Sequence, residues 1–232
     1  MQNFILLSLI AFTPKYGPEN TPRALPLSKS DSSLKKALLS SSDFWLLNSF
    51  YVGQMNDSSC SLAALTGLLN ALSSQKNQHS EDKNLSQREV LKKYLTKSEA
   101  QRFDSKTGTG FSLEEFSKLS LKVLSSAGFK VNLESLILAE LEKNLRSNDR
   151  SSSDFIFVNF LQSAATNDAK VGHWALVGAY DDKSKRVLIL DPDREWYEPY
   201  WIASETLLQG MQSKENSGGQ ARGYFRVQIL SD

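Results

Sequence analysis

The chain has 232 residues, 40% of them hydrophobic and 23% charged, which is enough apolar content for one full-sized core and too much for a disordered chain, a coiled coil or a collagen-like repeat. The 27 basic side chains against 26 acidic leave a net charge of +1, so nothing electrostatic points to nucleic acid or an anionic membrane as partner. A single cysteine excludes an intramolecular disulfide and, with only two histidines, argues against a structural zinc site.

No apolar run reaches the roughly 20 residues that span a bilayer. Residues 4–12 form a shorter one, with the length of a signal-peptide core but no Lys or Arg before it and no small-x-small site after it. Export and packing on the domain both stay open, so the compartment is either cytoplasmic or outside. Pro14, Pro18, Pro22 and Pro26 follow as an extended lead-in. Residues 1–23 therefore read as a lead, and residues 24–232 as one domain.

An apolar, aromatic stretch at 44–51 breaks at Gly53, and turn and capping residues run to Ser59. Cys60 then opens a helix over 60–72, because Leu62, Leu65, Leu68, Leu69 and Leu72 recur at helical spacing. Residues 73–84 are polar and predict a loop carrying His79 on the surface. One amphipathic helix is expected over 85–103, and Gly108-Thr-Gly110 interrupts the pattern. Ser112-Leu-Glu-Glu115 has capping-box spacing and starts another helix, which Gly128 ends. A further helix is expected over 133–145, with a polar loop at 148–153. From 155 onward the texture changes. Residues 155–161, 173–180, 187–191 and 224–230 are short, aromatic and β-branched. Helices first and antiparallel strands afterwards predict an α+β fold.

The lone cysteine carries the chemistry. A thiol at a helix N-terminus faces the positive end of the dipole and unpaired N–H groups, which favour a thiolate and could hold an oxyanion. His173 is the one plausible base, since His79 sits in a polar loop. A hairpin turning at Asp181-Asp-Lys-Ser184 and centred on residue 182 sets His173 opposite Asp191, which could orient the imidazole. A cysteine at an apolar helix start is also a common small core residue, so spacing alone leaves both readings open.

The segment Gln54-Met-Asn-Asp-Ser-Ser-Cys60, leading to Leu68-Leu-Asn-Ala-Leu72, resembles the nucleophile region of the phytochelatin synthases, papain-like enzymes that act on glutathione. Residues 155–161, Gly172-His-Trp, Val187 to Asp191, Arg194-x-x-Tyr197-x-Pro199-x-Trp201, Leu207 to Met211 and Ala221-Arg-Gly-Tyr224 resemble the same family in order. The similarity runs from about residue 25 to 228. It implies a papain-like fold with Cys60 as nucleophile, His173 as base and acid, and Asp191 as its orienter. It also implies Gln54 as a side-chain donor to the oxyanion and Arg222 as the group that holds the glutamyl end. The implied reaction cleaves the Cys–Gly bond of glutathione through a thioester and passes the acyl group to water or to a second glutathione. No intrinsic cofactor is implied, and a heavy-metal ion would enter as its glutathione thiolate. Glutathione and its metal thiolates are the expected partners, with neither nucleic acid nor membrane, and a homodimer is left open.

Four positions depart from the family pattern: Ser59 for an aromatic, Ser61 for Gly, Ala175-Leu176 for Ser-Pro, and Gln162-Ser163 for Arg-Lys. The lost basic pair would weaken binding of a second, anionic glutathione, so hydrolysis is expected to outrun polymerisation. The competing readings are a peptidase of double-glycine leaders, which shares the Asp-Pro after the histidine strand, a protein-modifying effector with the same triad, and a non-catalytic binder of glutathione or a thiol–metal complex.

Overall fold

The structure, a computed structural model, describes Tyr16 and residues 23–76, 84–215 and 221–230. The apolar segment 4–12 and His79 lie outside the described residues.

Apolar residues at both faces of the strands organise the molecule. In β3 (Asp154–Leu161), Phe155 and Phe157 face one layer while Ile156, Val158 and Phe160 face the other. A strand buried on both sides reads as a continuous apolar run, and this one does. It pairs with β4 (Gly172–Asp181) and β7 (Gly223–Ile229) in a fully antiparallel sheet. With β1 (Ala24–Pro26), β2 (Val131–Ser135), β5 (Arg186–Leu190) and β6 (Tyr200–Ala203), the order is β1-β6-β5-β4-β3-β7-β2.

One face is covered by α1 (Ser32–Ser40), α2 (Ser42–Asn48), α3 (Cys60–Lys76), α4 (Gln87–Tyr94) and α6 (Leu113–Ser126). α3 is buried on every side from Cys60 to Leu72, because it is wedged between β4 and the helices α2, α4 and α6. Phe116 of α6 closes this core against Phe157, Trp174 and Phe225, at ring separations of 5.4, 4.6 and 5.7 Å. The opposite face carries α7 (Leu141–Asn148), α8 (Gln162–Ala165) and α9 (Ser204–Gln212), which bury Leu141, Leu145, Leu207 and Met211 on the sheet.

The α+β class and the strands at 155, 173, 187 and 224 are as expected, and so is the Ser112 capping box. Gly128, with φ of 84°, ends α6 in a conformation that suits a residue without Cβ. Three expectations are corrected. The Cys60 helix runs on to Lys76, since Ser, Gln and Lys tolerate a last helical turn. The helix expected over 85–103 is two, α4 and α5 (Lys97–Gln101), because Thr96 caps a new start with Glu99. The helix expected over 133–145 begins as the edge strand β2, paired with β7, and turns helical only at Leu138, through a 3-10 turn into α7; tertiary pairing there overrides local pattern.

Candidate active site

The loop before α3 is built around Asn56. Its Oδ1 accepts the Ser58 N–H, its Nδ2 donates to the Phe103 carbonyl, and its own N–H donates to Ser59 Oγ. Ser59 Oγ in turn donates to the Asn56 carbonyl at 2.7 Å. The Gln87 side chain clamps the same loop, donating to the Gly53 carbonyl and accepting the Met55 N–H. Two of these bonds run through the Ser59 hydroxyl. Cys60 is thereby fixed at the first turn of α3, whose leading N–H groups have no partner within the helix.

His173 enters from β4. Its Nε2 lies 2.7 Å from Asp191 Oδ1, and both side chains are buried. Cys60 lies beside the imidazole, close enough for the two to influence each other. Burial alone would pull the imidazolium down, but the Asp191 carboxylate and Cys60 hold it well above the ordinary histidine value. Burial likewise pushes Asp191 up and is outweighed by His173, the Tyr200 hydroxyl and the Asp193 N–H, which leave it below the usual carboxylate range. The expected hairpin register is corrected. The ladder pairs Leu176 with Leu190, and a bulge falls between Val177 and Ala179. Asp191 therefore lies one position past the last pair and His173 three, so the side chains meet on the diagonal.

Cys60 opens on a cavity of about 250 Å³ between the α3 layer and the end of the sheet. Asn159, Gly172, Trp174, Glu215 and Arg222 line its sheet side, and the 108–111 loop lines the other. Arg222 is buried. It donates to Ser213 Oγ, Asn159 Oδ1 and the Lys214 carbonyl, and lies close enough to Cys60 and Glu215 for their charges to offset the burial that lowers its pKa. Its guanidinium rests on Gly172, where a Cβ would stand 2.0 Å from Nη1. Glu215 accepts from Leu113 N–H and from Asn159 Nδ2 at 3.0 Å, and burial raises its pKa. Asn159 thus bridges a buried cation and a buried carboxylate.

Of the residues singled out in the sequence, Cys60, His173 and Asp191 come together, and Arg222 shares the cavity with Cys60. Gln54 lies in the loop before α3 with its N–H on the Pro192 carbonyl at 2.7 Å, while its buried Oε1 has no hydrogen-bond partner among the described residues. Asn159 and Glu215 were missed. An Asn inside the apolar run 155–161 was a legible signal, whereas Glu215 sits in a polar stretch with none.

Compared with known proteins, the phytochelatin synthase family model matches residues 24–224. The glutathione gamma-glutamylcysteinyltransferase of Schizosaccharomyces pombe is 26% identical over 125 residues, covering 52% of this chain and 29% of that protein. Glutathione gamma-glutamylcysteinyltransferase 1 of Lotus japonicus is 30% identical over 77 residues, covering 33% and 15%. The matches thus span less than a third of the length of these relatives. Among solved structures, the chain is similar to the peptidase domain of Streptococcus ComA, with a TM-score of 0.45, 14% identity, and coverage of 77% of this chain and 97% of that one. It is similar also to xylellain, a cysteine protease from Xylella fastidiosa, with a TM-score of 0.46, 13% identity, and coverage of 94% and 96%. With the family match running from β1 into β7 and spanning the whole site, the chain belongs to the phytochelatin synthase family.

Proposed function

We propose that the protein is a thiol acyltransferase that cleaves the Cys–Gly bond of glutathione, with Cys60 as nucleophile. The observation that carries this reading is Cys60 beside an Asp191-backed His173, at the mouth of a cavity holding Arg222 and Glu215 on one asparagine. The glutamyl end of glutathione bears one free carboxylate and one free ammonium. Arg222 suits the carboxylate and Glu215 the ammonium. A double-glycine peptide offers no such pair of charges at that distance from its scissile bond, which favours glutathione over a leader peptide.

In the first half-reaction His173 takes the Cys60 proton as sulfur attacks the cysteinyl carbonyl. The oxyanion is received by N–H groups at the start of α3 and by the side-chain N–H of Gln54 in the preceding loop. The C–N bond breaks, His173 returns the proton to the departing glycine nitrogen, and a γ-glutamylcysteinyl thioester remains. In the second half-reaction His173 takes a proton from water, or from the amine of a second glutathione. The resulting nucleophile attacks the thioester, and the Cys60 sulfur leaves and regains its proton. Gln162 is buried at the position where the family carries a basic pair, so no cation is supplied there for a second glutathione and water is the favoured acceptor. A heavy-metal ion acts here as part of the substrate, bound to glutathione sulfur.

Incubation with glutathione, with and without Cd²⁺, beside a Cys60→Ala control tests this by mass spectrometry. Glycine and γ-glutamylcysteine that vanish in the control are expected, with few longer chains. No glycine release from a protein whose Cys60 still reacts with iodoacetamide would sink the substrate assignment.

A further inference from the structure

We propose that Tyr200 is a positioning residue of this site, acting on His173 through Asp191. The proposal rests on Cys60 and His173 working as a pair, though not on which acyl group they carry.

Asp191 is fully buried and its carboxylate is saturated. Oδ1 faces His173 Nε2 at 2.7 Å and accepts the Asp193 N–H at 2.8 Å, while Oδ2 accepts the Tyr200 hydroxyl at 2.7 Å. The phenol is therefore the sole hydrogen-bond partner of Oδ2 among the described residues, and it decides which oxygen turns to the imidazole. Its place is set by the sheet. Tyr200 pairs with Ile189, two residues before Asp191 on the neighbouring strand, and points to the same face as Ile189. Tyr197 and Tyr16 pack edge-on against its ring at 5.7 and 6.1 Å. Burial and the adjacent carboxylate raise its pKa well above the ordinary value, so it stays a donor throughout the working range. A buried carboxylate stripped of one of its donors takes a proton more readily and stabilises an imidazolium less well once it has done so.

The titratable groups facing Asp191 are His173 of β4, Tyr200 of β6, Tyr197 and Asp193 after β5, Tyr51 before α3, and Tyr16, with the Arg194 guanidinium stacked on Tyr51. The phenols do not titrate on the acid limb and Tyr200→Phe leaves the Asp193 contact in place, so a shift between the two proteins reports the His173–Asp191 pair.

The experiment follows iodoacetamide alkylation of Cys60 from pH 4 to 9 in the full chain, for wild type, Tyr200→Phe, Asp191→Asn and the double variant, corrected for folded fraction by circular dichroism. Tyr200→Phe should slow alkylation at pH 7 about tenfold and move the acid limb upward by half a unit or more. It should have no further effect in the Asp191→Asn background. A Tyr200→Phe profile that overlays wild type, or an equal loss with and without Asp191, would overturn the proposal and leave Tyr200 a core residue. If Tyr200→Phe does not fold, Tyr200→Gln keeps an N–H donor for Oδ2 without adding a titratable group and is read in the opposite sense. A wild-type acid limb supports the proposal, and one matching Asp191→Asn defeats it. Alkylation needs no acyl substrate, so failure of the glutathione reading would leave this result standing.

Discussion

At the scale of single residues, the site is a set of buried charges that satisfy one another. Arg222 and Glu215 each lose water on burial, and Asn159 links them without cancelling either. Glu215→Gln should therefore keep the Leu113 and Asn159 contacts while removing the charge offered to an ammonium. The expected result is a KM for glutathione raised tenfold or more with kcat changed less than threefold, and an unchanged KM would refute the head-group assignment. Asp191→Asn should leave binding alone and lower kcat by a factor on the order of 10²–10⁴, the range seen when a general base loses its orienting carboxylate. The scarcity of thiol and imidazole made Cys60 and His173 legible in the sequence, and the resemblance supplied Gln54 and Arg222. Glu215 was not legible. Its carboxylate is carried to the cavity by bonds from Leu113 and Asn159, far away along the chain, which nothing in its own polar stretch announces.

At the scale of elements, the start of β4 does two things at once. It delivers His173, and its preceding glycine makes room for Arg222. Gly172→Ala should push the guanidinium off its seat, costing about 1–3 kcal/mol of stability as an overpacked site does and weakening substrate binding together with it. Urea denaturation and KM measured on the same preparation check this; a stability loss with KM intact would show that Arg222 does not hold substrate. The hairpin that carries His173 toward Asp191 is legible in the sequence, but the expected register ignores the bulge at Gly178, which a lone glycine inside a strand pattern signals. The split between α4 and α5 was legible in hindsight, since Thr96 and Glu99 have the same spacing as Ser112 and Glu115, which was read correctly. β2 was not, because an edge strand with partly exposed residues carries a weak alternation signal.

For the whole molecule, two cores share one sheet, and a few buried polar residues tie the layers together. Asp43 of α2 is one of them. It accepts from Asn148, at the end of α7 on the opposite face, and sits near Asp154 and Asp149. Burial pushes its pKa from 3.8 up to about 8. Below pH 4 the carboxyl is neutral in both states and costs nothing. As pH rises the unfolded chain ionises first, so stability falls until about pH 8 and is level beyond it. Asp43→Asn should remove a cost on the order of a few kcal/mol at pH 8 and flatten the decline. Urea unfolding at pH 5 and pH 8 measures it, and equal slopes in the two proteins would show that Asp43 is not the group responsible.

The Tyr51 hydroxyl donates to the Asp191 carbonyl, and the Gln54 N–H to the Pro192 carbonyl. These bonds bind the approach to α3 to the segment leaving β5, stretches 140 residues apart along the chain. Opening either stretch exposes the other, so the two are coupled beneath both halves of the site. In hydrogen–deuterium exchange the amides of Gln54 and Asp193 should open together and exchange at matched rates. Any ligand that seats against one stretch should slow both.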